Sequence, residues 1–458
     1  MEEKAYIPSN LNIEKFLTEN PPCFKYYVDC FRHIISLVTE IPSYNKDMLK
    51  MYNYALINSE KLQGKIHECA DYLKYLVRHN IFETDNHYIP SEKSTGYRFT
   101  PQYRTSVKVE LITKYTLVKS IRKTAPEEDK IVKKYSYMHR WYNEHLQIDF
   151  VGALKYLEQQ LKLNIEKGDV NAMLKFNASF ITITRISQHD FYFKVDPNVH
   201  RLHTPLTNIK SELRNFITYN GIPLVGVDFV NSQPCLSAVL LDENFYDFSA
   251  TGVNSPFSFN IYNISDNLSN FQPLYSSSTI PDIYSYIMIV KYDGSFKGQG
   301  FQPYIAPTEK GWLYEYIQEA VEAETGIVIK DRKELKKIVF TVLFTDNRFI
   351  GQAEAKPKRI FRFIFPFVYE IFNLIKRKDS TILPRLLQTI ESKLMLDNIA
   401  KRIAIERPDM PFFTIHDSIV CPVEDEGYAA EVMIDEMVKA IGIHPSVKPE
   451  RWSSSNLA

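Results

Sequence analysis

The sequence lacks several features that would assign it quickly to a class of protein. Its 55 Lys and Arg residues balance 55 Asp and Glu residues, so any nucleic-acid site has to be a local patch. The five cysteines form no C-x-x-C pair, which argues against a zinc module or a disulfide framework and favours a reducing, cytoplasmic setting. No apolar run reaches the roughly 18 residues of a membrane span. The first residues, MEEKAYIPSN, are not typical of a signal peptide.

What is present predicts a globular protein of more than one unit. The chain has 458 residues, of which 45% are hydrophobic and 13% aromatic. A chain of this length normally divides around two or three hydrophobic cores. Residues 126–186 show helical periodicity, interrupted by a predicted loop at QIDF, residues 147–150. Residues 244–281 are rich in Ser and Asn without a clear period, and we predict a surface insertion there.

The N-terminal part predicts a winged-helix-like module. Residues 45–80 have helical spacing, and residues 86–103 form two short strand-like runs around a polar tip. Lys93 and Arg98 in this hairpin are suited to contacting phosphates, and its tyrosines are suited to stacking on bases. A solvated hairpin with ordinary surface charge explains the same residues equally well.

One candidate catalytic carboxylate, Asp228, follows a buried strand. The apolar run Leu224 to Val227 leads into Asp228, and Pro234 opens a predicted helix a few residues later, where its missing N–H costs nothing. Open sheets place their sites at the carboxyl ends of strands.

A second candidate, Asp417, lies in PFFTIHDSIVCP, residues 411–422. His416 and Asp417 form the polar break between two runs of β-formers. They make either a simple turn or a metal-binding tip. If Asp228 and Asp417 meet on adjacent strands, the pair suits two Mg²⁺ ions, with Mn²⁺ as an alternative.

The segment KDRKELKKIVFTVLFTD, residues 330–346, carries a mixed stripe of side chains. Arg332, Lys336, Phe340 and Phe344 recur every four residues and share one face of a helix. Cations at one end suit phosphates, and flat rings at the other suit a base and a sugar. The alternative is a basic first turn that leads into a buried apolar half.

Three of these stretches, in this order, resemble the palm and fingers motifs of family A DNA polymerases and the single-subunit phage-type RNA polymerases. VDFVNSQPCLSA resembles the first palm motif, RKELKKIVFTVLF the fingers helix, and TIHDSIV the second palm motif. The resemblance implies an α+β right-hand polymerase with an antiparallel palm sheet and helical fingers and thumb. It also implies Mg²⁺, nucleoside triphosphates and a DNA primer-template as cofactor, substrates and partner.

The resemblance also implies a role for each residue. Asp228 and Asp417 would bind the metal ions, and Arg332 and Lys336 the β- and γ-phosphates. Phe340 would pack on the sugar, Phe344 near the templating base, and His416 at the primer end. Gln233 stands at the position that senses the sugar. Two weaker echoes, residues 200–216 and 383–400, place Arg201, Arg385 and Gln388 at the primer-template.

The resemblance further implies a division of the chain and the absence of proofreading. It implies an N-terminal nucleic-acid-binding region, thumb-like helices, two palm parts and an insertion with fingers between them. The corresponding ranges are 1–120, 121–195, 196–243 with 381–458, and 244–380. The N-terminal part shows no Asp-x-Glu strand followed by further acidic motifs, so we expect no exonuclease.

Departures from the family pattern leave the sugar choice open. Phe344-Thr345 replaces the usual Tyr-Gly, Gln233 replaces a Glu, and Ser418 after Asp417 resembles the RNA polymerases. A DNA-directed DNA polymerase is the main prediction, with a primase or compact RNA polymerase as the alternative. A winged-helix replication initiator and a His-Asp metal phosphohydrolase are the further alternatives. Other replication proteins are candidate partners.

Overall fold

The chain builds two hydrophobic cores of unequal size. The computed structural model describes residues 2–44, 53–90, 93–123, 126–247, 257–264, 271–275, 278–293, 300–348 and 350–457, without the side chains of 126–128. The smaller core lies within residues 5–118 and the larger within residues 135–452. We refer to residues 2–123 as the N-terminal unit and to residues 126–457 as the main unit. Among the described residues, no helix is long and apolar enough to cross a membrane.

The N-terminal unit combines short helices with two small antiparallel sheets. Its two outer strands, Glu3–Pro8 and Val107–Ile112, pair along their full length. Asn12 and Asn58 each cap a helix by accepting a backbone N–H three residues on. The helices are Ile13–Glu19, Val28–Tyr44, Ser59–Gln63, Cys69–Arg78 and Tyr115–Arg122, with a 3₁₀ turn at Pro101–Tyr103.

Inside this unit, a helix is followed by a strand, two helices and two strands. The three strands Ala55–Leu56, Phe82–Thr84 and Gly96–Phe99 form one antiparallel sheet with the last strand in the middle. The predicted hairpin at 86–103 therefore begins earlier than the sequence indicated. Two residues of its tip, 91 and 92, lie outside the described residues.

The main unit is organised around a six-stranded antiparallel sheet. Its central strand is Ile222–Phe229, which is buried at residues 224–227 and pairs with strands on both sides. On one side lies a hairpin of Phe413–Ile415 and Ser418–Pro422, which we call the His-Asp hairpin. The other side carries Val447–Arg451, Ile217–Tyr219 and Leu146–Ile148. A separate pair of short strands is formed by Lys194–Val195 and Leu202–His203. The α+β prediction is thus confirmed as a mixed structure with an antiparallel main sheet.

Helices surround this sheet and supply most of the larger core. Among them, Lys356–Ile364 packs against Arg332–Phe344. The helices are Pro126–Lys134, Ser136–His139, Phe150–Glu166, Ala172–Ser187, Pro205–Asn208, Ser211–Arg214, Ser232–Ala238, Gln272–Tyr275, Thr279–Tyr292, Gln302–Glu309, Leu313–Thr325, Arg332–Phe344, Lys356–Ile364, Pro366–Ile375, Ile382–Lys393, Ala400–Glu406 and Glu426–Ile441. A π-helical stretch, Leu394–Ile399, joins two of them. Short 3₁₀ turns occur at Val239–Leu241, Glu243–Phe245, Ala353–Ala355, Val423–Asp425 and Ser454–Leu457.

Two local predictions differ from the structure. Part of the predicted loop at 147–150 belongs to the strand Leu146–Ile148, and Asp149 then caps the next helix by accepting the N–H of Gly152 at 3.0 Å. The predicted surface insertion at 244–281 lies partly outside the described residues. Its described parts belong to the core rather than to a surface loop, because they bury the side chains of Phe259, Ile261, Ile264, Phe271 and Leu274.

A buried arginine joins the two units. Arg185, on the helix Ala172–Ser187, is 6% exposed and donates to the Ser43 hydroxyl at 3.0 Å. Its guanidinium also lies 3.5 Å from a Glu40 carboxylate oxygen and 4.2 Å from the centre of the Tyr44 ring. A buried charge is tolerated only when it is paired, so this contact fixes the N-terminal unit on that helix.

We expect Arg185→Met to lower the free energy of unfolding by about 3–5 kcal/mol, because it leaves the Glu40 carboxylate buried without its cation. Urea denaturation measures this loss. Adding Glu40→Gln to Arg185→Met should recover a large part of it. If the losses in free energy of unfolding of Arg185→Met and Glu40→Gln simply added in the double variant, the pairing of Arg185 with Glu40 would be contradicted.

Candidate active site

The main sheet brings Asp228 and Asp417 together. Asp228 lies near the end of the central strand, opposite Ser418 of the His-Asp hairpin. Asp417 is the second residue of the two-residue turn in that hairpin, and its carbonyl accepts the N–H of Phe229 at 3.4 Å. Both side chains are partly buried. The metal-tip interpretation and the turn interpretation of this segment are therefore compatible, because the carboxylate belongs to a turn that faces a second carboxylate.

Three non-glycine residues beside the site have left-handed backbone conformations. His416 precedes Asp417 at φ 55°, and Asn231 follows Asp228 by three residues at φ 56°. His200, at φ 56°, directly precedes Arg201. Asn and His tolerate this region better than most residues, but it still costs free energy. Such conformations concentrate where the fold fixes the direction of a functional side chain, and here each one adjoins a predicted site residue.

Burial and repulsion both act on the two aspartates. The pKa of Asp228 is raised to about 6. Burial is the largest cause, and the charges of Asp417 and Glu450 also contribute to the rise. Hydrogen bonding from Ser418 and the charge of Arg214 act in the opposite direction. Burial also raises the pKa of Asp417, against the lowering effects of Ser232 and Arg201. Both shifts favour the protonated carboxyl groups, and a bound divalent cation would reverse that preference by favouring the ionised forms.

A third carboxylate, Glu391, lies beside the pair. It is 4% exposed and accepts a hydrogen bond from Arg201 at 2.8 Å and another from the Gln233 side-chain amide. Burial raises the pKa of Glu391 to about 7, and the charge of Asp417 contributes to that rise. The structure therefore brings together Arg201 and Gln233, two residues that the sequence placed in the site for separate reasons.

The sequence analysis missed Glu391, although its position carries a signal. On the helix Ile382–Lys393, Leu383, Leu387 and Glu391 follow one another at intervals of four, and the two leucines are fully buried. A carboxylate in such an apolar stripe is rare unless it is paired. Gln388 lies three residues before Glu391. Arg385 instead pairs with Asp379 at 2.8 Å.

The predicted stripe on the helix Arg332–Phe344 lies on its outward side. Arg332 and Lys336 are exposed and Phe340 and Phe344 are partly exposed, whereas the buried residues are others: Leu335, Ile338, Val339, Val342 and Leu343. The rings of Phe340 and Phe344 lie 5.6 Å apart. Arg332 pairs with Glu315 at 2.5 Å, and both cations lie over the ring of Tyr314. The two cations of the stripe therefore lie at the surface, whereas Phe344 also packs against the larger core.

Two buried lysines hold the end of this helix. Lys376 donates to the carbonyl oxygens of Val342 at 2.5 Å and Thr345 at 2.9 Å, and Lys358 donates to that of Asp346. Burial lowers the pKa of Lys376 to about 7. Cations at a helix C-terminus satisfy its free carbonyl groups. The two lysines therefore hold the C-terminal end of Arg332–Phe344, which carries the aromatic half of the stripe, in place.

The predicted phosphate contacts of the N-terminal hairpin are engaged within the unit. Lys93 pairs with Asp85 at 2.5 Å, and Arg98 pairs with Glu83 at 2.6 Å. Arg104 also reaches Glu83, at 3.3 Å. Within this unit, the helix Cys69–Arg78 exposes two cations, Lys74 and Arg78.

The donor set of the candidate site is two aspartates. Within the described ranges, no group of three or more His, Cys, Asp or Glu side chains is arranged to hold a metal ion. The His-Asp phosphohydrolase alternative needs such a larger set, on helices, whereas His416 and Asp417 lie in a strand turn. Two carboxylates fit Mg²⁺ of the kind that takes its remaining ligands from phosphate and water.

Comparison with known proteins adds one distant likeness. No family model and no curated protein matches the chain. Among solved structures it is similar to the POL domain of Pol1 from M. smegmatis, which was solved in complex with DNA primer-template and dNTP. The match has 11% sequence identity and a TM-score of 0.29, over 72% of this chain and 70% of that chain. A TM-score at this level does not establish a shared fold.

We expect Asp228→Asn to stabilise the metal-free protein at neutral pH. A carboxyl group whose folded-state pKa is raised takes up a proton on folding, so its contribution to stability falls as pH rises from about 4 through 6. Removing that charge should raise the free energy of unfolding by about 1–3 kcal/mol at pH 7 and by close to zero at pH 4. Urea denaturation in EDTA measures the difference at each pH.

Asp409→Asn is the control, because Asp409 is an exposed carboxylate outside the site. It should leave the stability difference near zero at both pH values. If Asp228→Asn destabilised the protein at pH 7, the charge repulsion inferred for the site would be contradicted.

Proposed function

We propose that the protein is a template-directed nucleic-acid polymerase, acting as a DNA-directed DNA polymerase without proofreading. The observation that carries the proposal is the convergence of Asp228 and Asp417 in a partly buried position of an antiparallel sheet. In this proposal the sheet is the palm, formed by 196–243 and 381–458. Residues 244–380 then supply the fingers, and 121–195 supply thumb-like helices. The resemblance of three motifs to family A and phage-type polymerases supports the same division.

The residues divide the work of nucleotidyl transfer. Asp228 and Asp417 would hold two Mg²⁺ ions, which supply activation of the attacking hydroxyl and offset charge on the leaving pyrophosphate. Arg332 and Lys336 bind the β- and γ-phosphates of the incoming nucleotide, because both cations stand on one exposed stripe. Phe340 and Phe344 lie farther along the stripe, where the sugar and base would stack.

Further side chains position the nucleic acid. His416 adjoins Asp417 in the turn and would contact the primer end. Arg201 reaches the site through its contact with Glu391 and would contact the primer-template, together with Gln388 on the same helix as Glu391. Gln233 follows Asp228 by five residues and would line the sugar pocket.

The N-terminal unit would bind nucleic acid through a helix. Its order of helices and strands is that of a winged-helix module, in which one helix enters the major groove. Lys74 and Arg78 are exposed on Cys69–Arg78, one turn apart, whereas Lys93 and Arg98 are paired with carboxylates. We therefore assign the main phosphate contacts of this unit to Lys74 and Arg78.

Primer extension on a DNA template with Mg²⁺ tests the proposal, with dNTPs and NTPs supplied separately. The wild-type protein should extend the primer, and Asp228→Ala and Asp417→Ala should each reduce the rate by about 10³-fold or more. Asp409→Ala, outside the site, should retain the rate. The nucleotide class that supports extension distinguishes a DNA polymerase from a primase or RNA polymerase.

If neither nucleotide class were incorporated while the protein still bound DNA, the catalytic proposal would fail. The initiator alternative would then explain the N-terminal unit.

The stripe is tested by a matched pair of lysines on one helix. Lys336→Met should lower kcat/KM for the incoming nucleotide by about 10–100-fold, because a charge-assisted contact to phosphate is lost. Lys337, the next residue, is equally exposed but lies off the stripe. Lys337→Met should therefore stay within about two-fold of wild type in steady-state kinetics. Equal effects of both substitutions would show that only the general charge of the helix matters.

A further inference from the structure

Gln233 and Arg201 are connected through one buried carboxylate. Glu391 accepts from the Gln233 amide nitrogen with one oxygen and from the Arg201 guanidinium with the other, at 2.8 Å. The three side chains come from three separate elements: a helix after the central strand, a short strand region and the helix Ile382–Lys393. A single residue thus determines where two parts of the candidate site lie relative to each other.

The connection has features that a purely structural contact does not need. The remaining oxygen of the Gln233 amide and the Nε of Arg201 are both buried, and neither has a hydrogen-bond partner in the described part of the chain. Burying unsatisfied polar atoms costs free energy, and native proteins keep few of them. An apolar residue at 391 would fill the stripe of Leu383 and Leu387 without that cost. A protein keeps such buried polar atoms where the orientation of the Gln233 amide matters for function.

The direction of the Gln233 amide follows from its partner. Glu391 accepts a hydrogen bond from the NH₂ group of Gln233, which leaves the Gln233 carbonyl oxygen on the other side. A charge-assisted hydrogen bond restrains a long side chain that would otherwise exchange among rotamers. Gln233 is therefore held in one conformation on the helix that follows the Asp228 strand.

We propose that Glu391 is a positioning residue that holds Gln233 in one rotamer and connects it to Arg201, so that discrimination between ribose and deoxyribose depends on Glu391. The inference rests on the proposed polymerase function and deepens it. A fixed side chain distinguishes two sugars that differ by one hydroxyl, whereas a mobile side chain adapts to both. Loss of the Glu391 contact therefore reduces discrimination, whichever sugar the wild-type protein prefers.

The test measures kcat/KM for an NTP and for its dNTP in single-nucleotide primer extension. The preference of the wild type should shrink toward unity by about 10-fold or more in Glu391→Gln. Arg201 and Gln233 donate to different oxygens of Glu391, and the substitution replaces one of those oxygens by an NH₂ group that only donates. Gln233→Ala should shrink it similarly. The double variant Gln233→Ala/Glu391→Gln should show no further loss, because Glu391 acts through Gln233.

A second substitution separates the loss of restraint from a change in side-chain size, and it leaves residue 391 as Glu. Gln233→Met keeps the length of the side chain but cannot donate a hydrogen bond to Glu391. The sugar preference of this variant should therefore fall as it does in Glu391→Gln. Glu436→Gln is the matched control. Glu436 is also a buried glutamate on a helix, and it pairs with Arg402 at 3.1 Å, away from the site. It should leave the sugar preference unchanged.

The possible failures are distinguishable. If the wild type extends primers but Gln233→Met or Glu391→Gln keeps the wild-type preference, the positioning role is wrong and the polymerase proposal stands. Additive losses in the double variant overturn the role in the same way. If the wild type incorporates neither nucleotide class, the proposed function itself fails, and the inference fails with it.

Discussion

The placement of one carboxylate on the central strand and a second in the turn of the neighbouring hairpin is the constraint on which the rest of the main unit depends. Burial disfavours the ionised form of both Asp228 and Asp417, and the charge of Asp417 adds to this at Asp228, so folding has to overcome that cost. The surrounding structure supplies the free energy through a buried central strand flanked by strands on both sides. Natural proteins tolerate such unfavourable arrangements mainly where function requires them.

The cations near the pair are arranged so that they do not neutralise it fully. Arg201 is held by Glu391, and Arg214 is buried beside the ring of Trp452. The other cations assigned to the site, Arg332 and Lys336, belong to an exposed stripe on a separate helix. Full neutralisation of the two aspartates by protein cations would lower the affinity of the pair for a divalent cation. The engagement of these cations with other groups, or their place on a separate helix, therefore supports a metal site as much as the carboxylates do.

Local patterns in the sequence predicted the parts of the site that depend on neighbouring residues. An apolar run ending in Asp228 indicated a strand end, and β-formers on both sides of His416 and Asp417 indicated a hairpin. The four-residue spacing of the stripe indicated one face of a helix, and the structure places those residues on its outward side. These features follow from the periods of strands and helices alone.

Contacts between distant segments leave much weaker signals in a sequence. The pairing of Val447–Arg451 with the central strand was not anticipated, because that strand is largely exposed and contains Pro449. The part of 244–281 that enters the core was hidden by its Ser and Asn content. Glu391 joins Arg201 across 190 residues, and no local period reports such a meeting. Each of these depends on tertiary packing, which overrides local preference.

The two-residue turn of the His-Asp hairpin has a consequence for how this chain can change over evolution. The turn fixes the register of the hairpin, and adjacent residues in a strand point to opposite faces. Inserting one residue between Ile415 and Ser418 would shift Asp417 relative to Asp228 without replacing any existing side chain. Deleting one residue there would remove His416 or Asp417 itself, so length changes in this short segment are closed to lineages of this protein that keep the site.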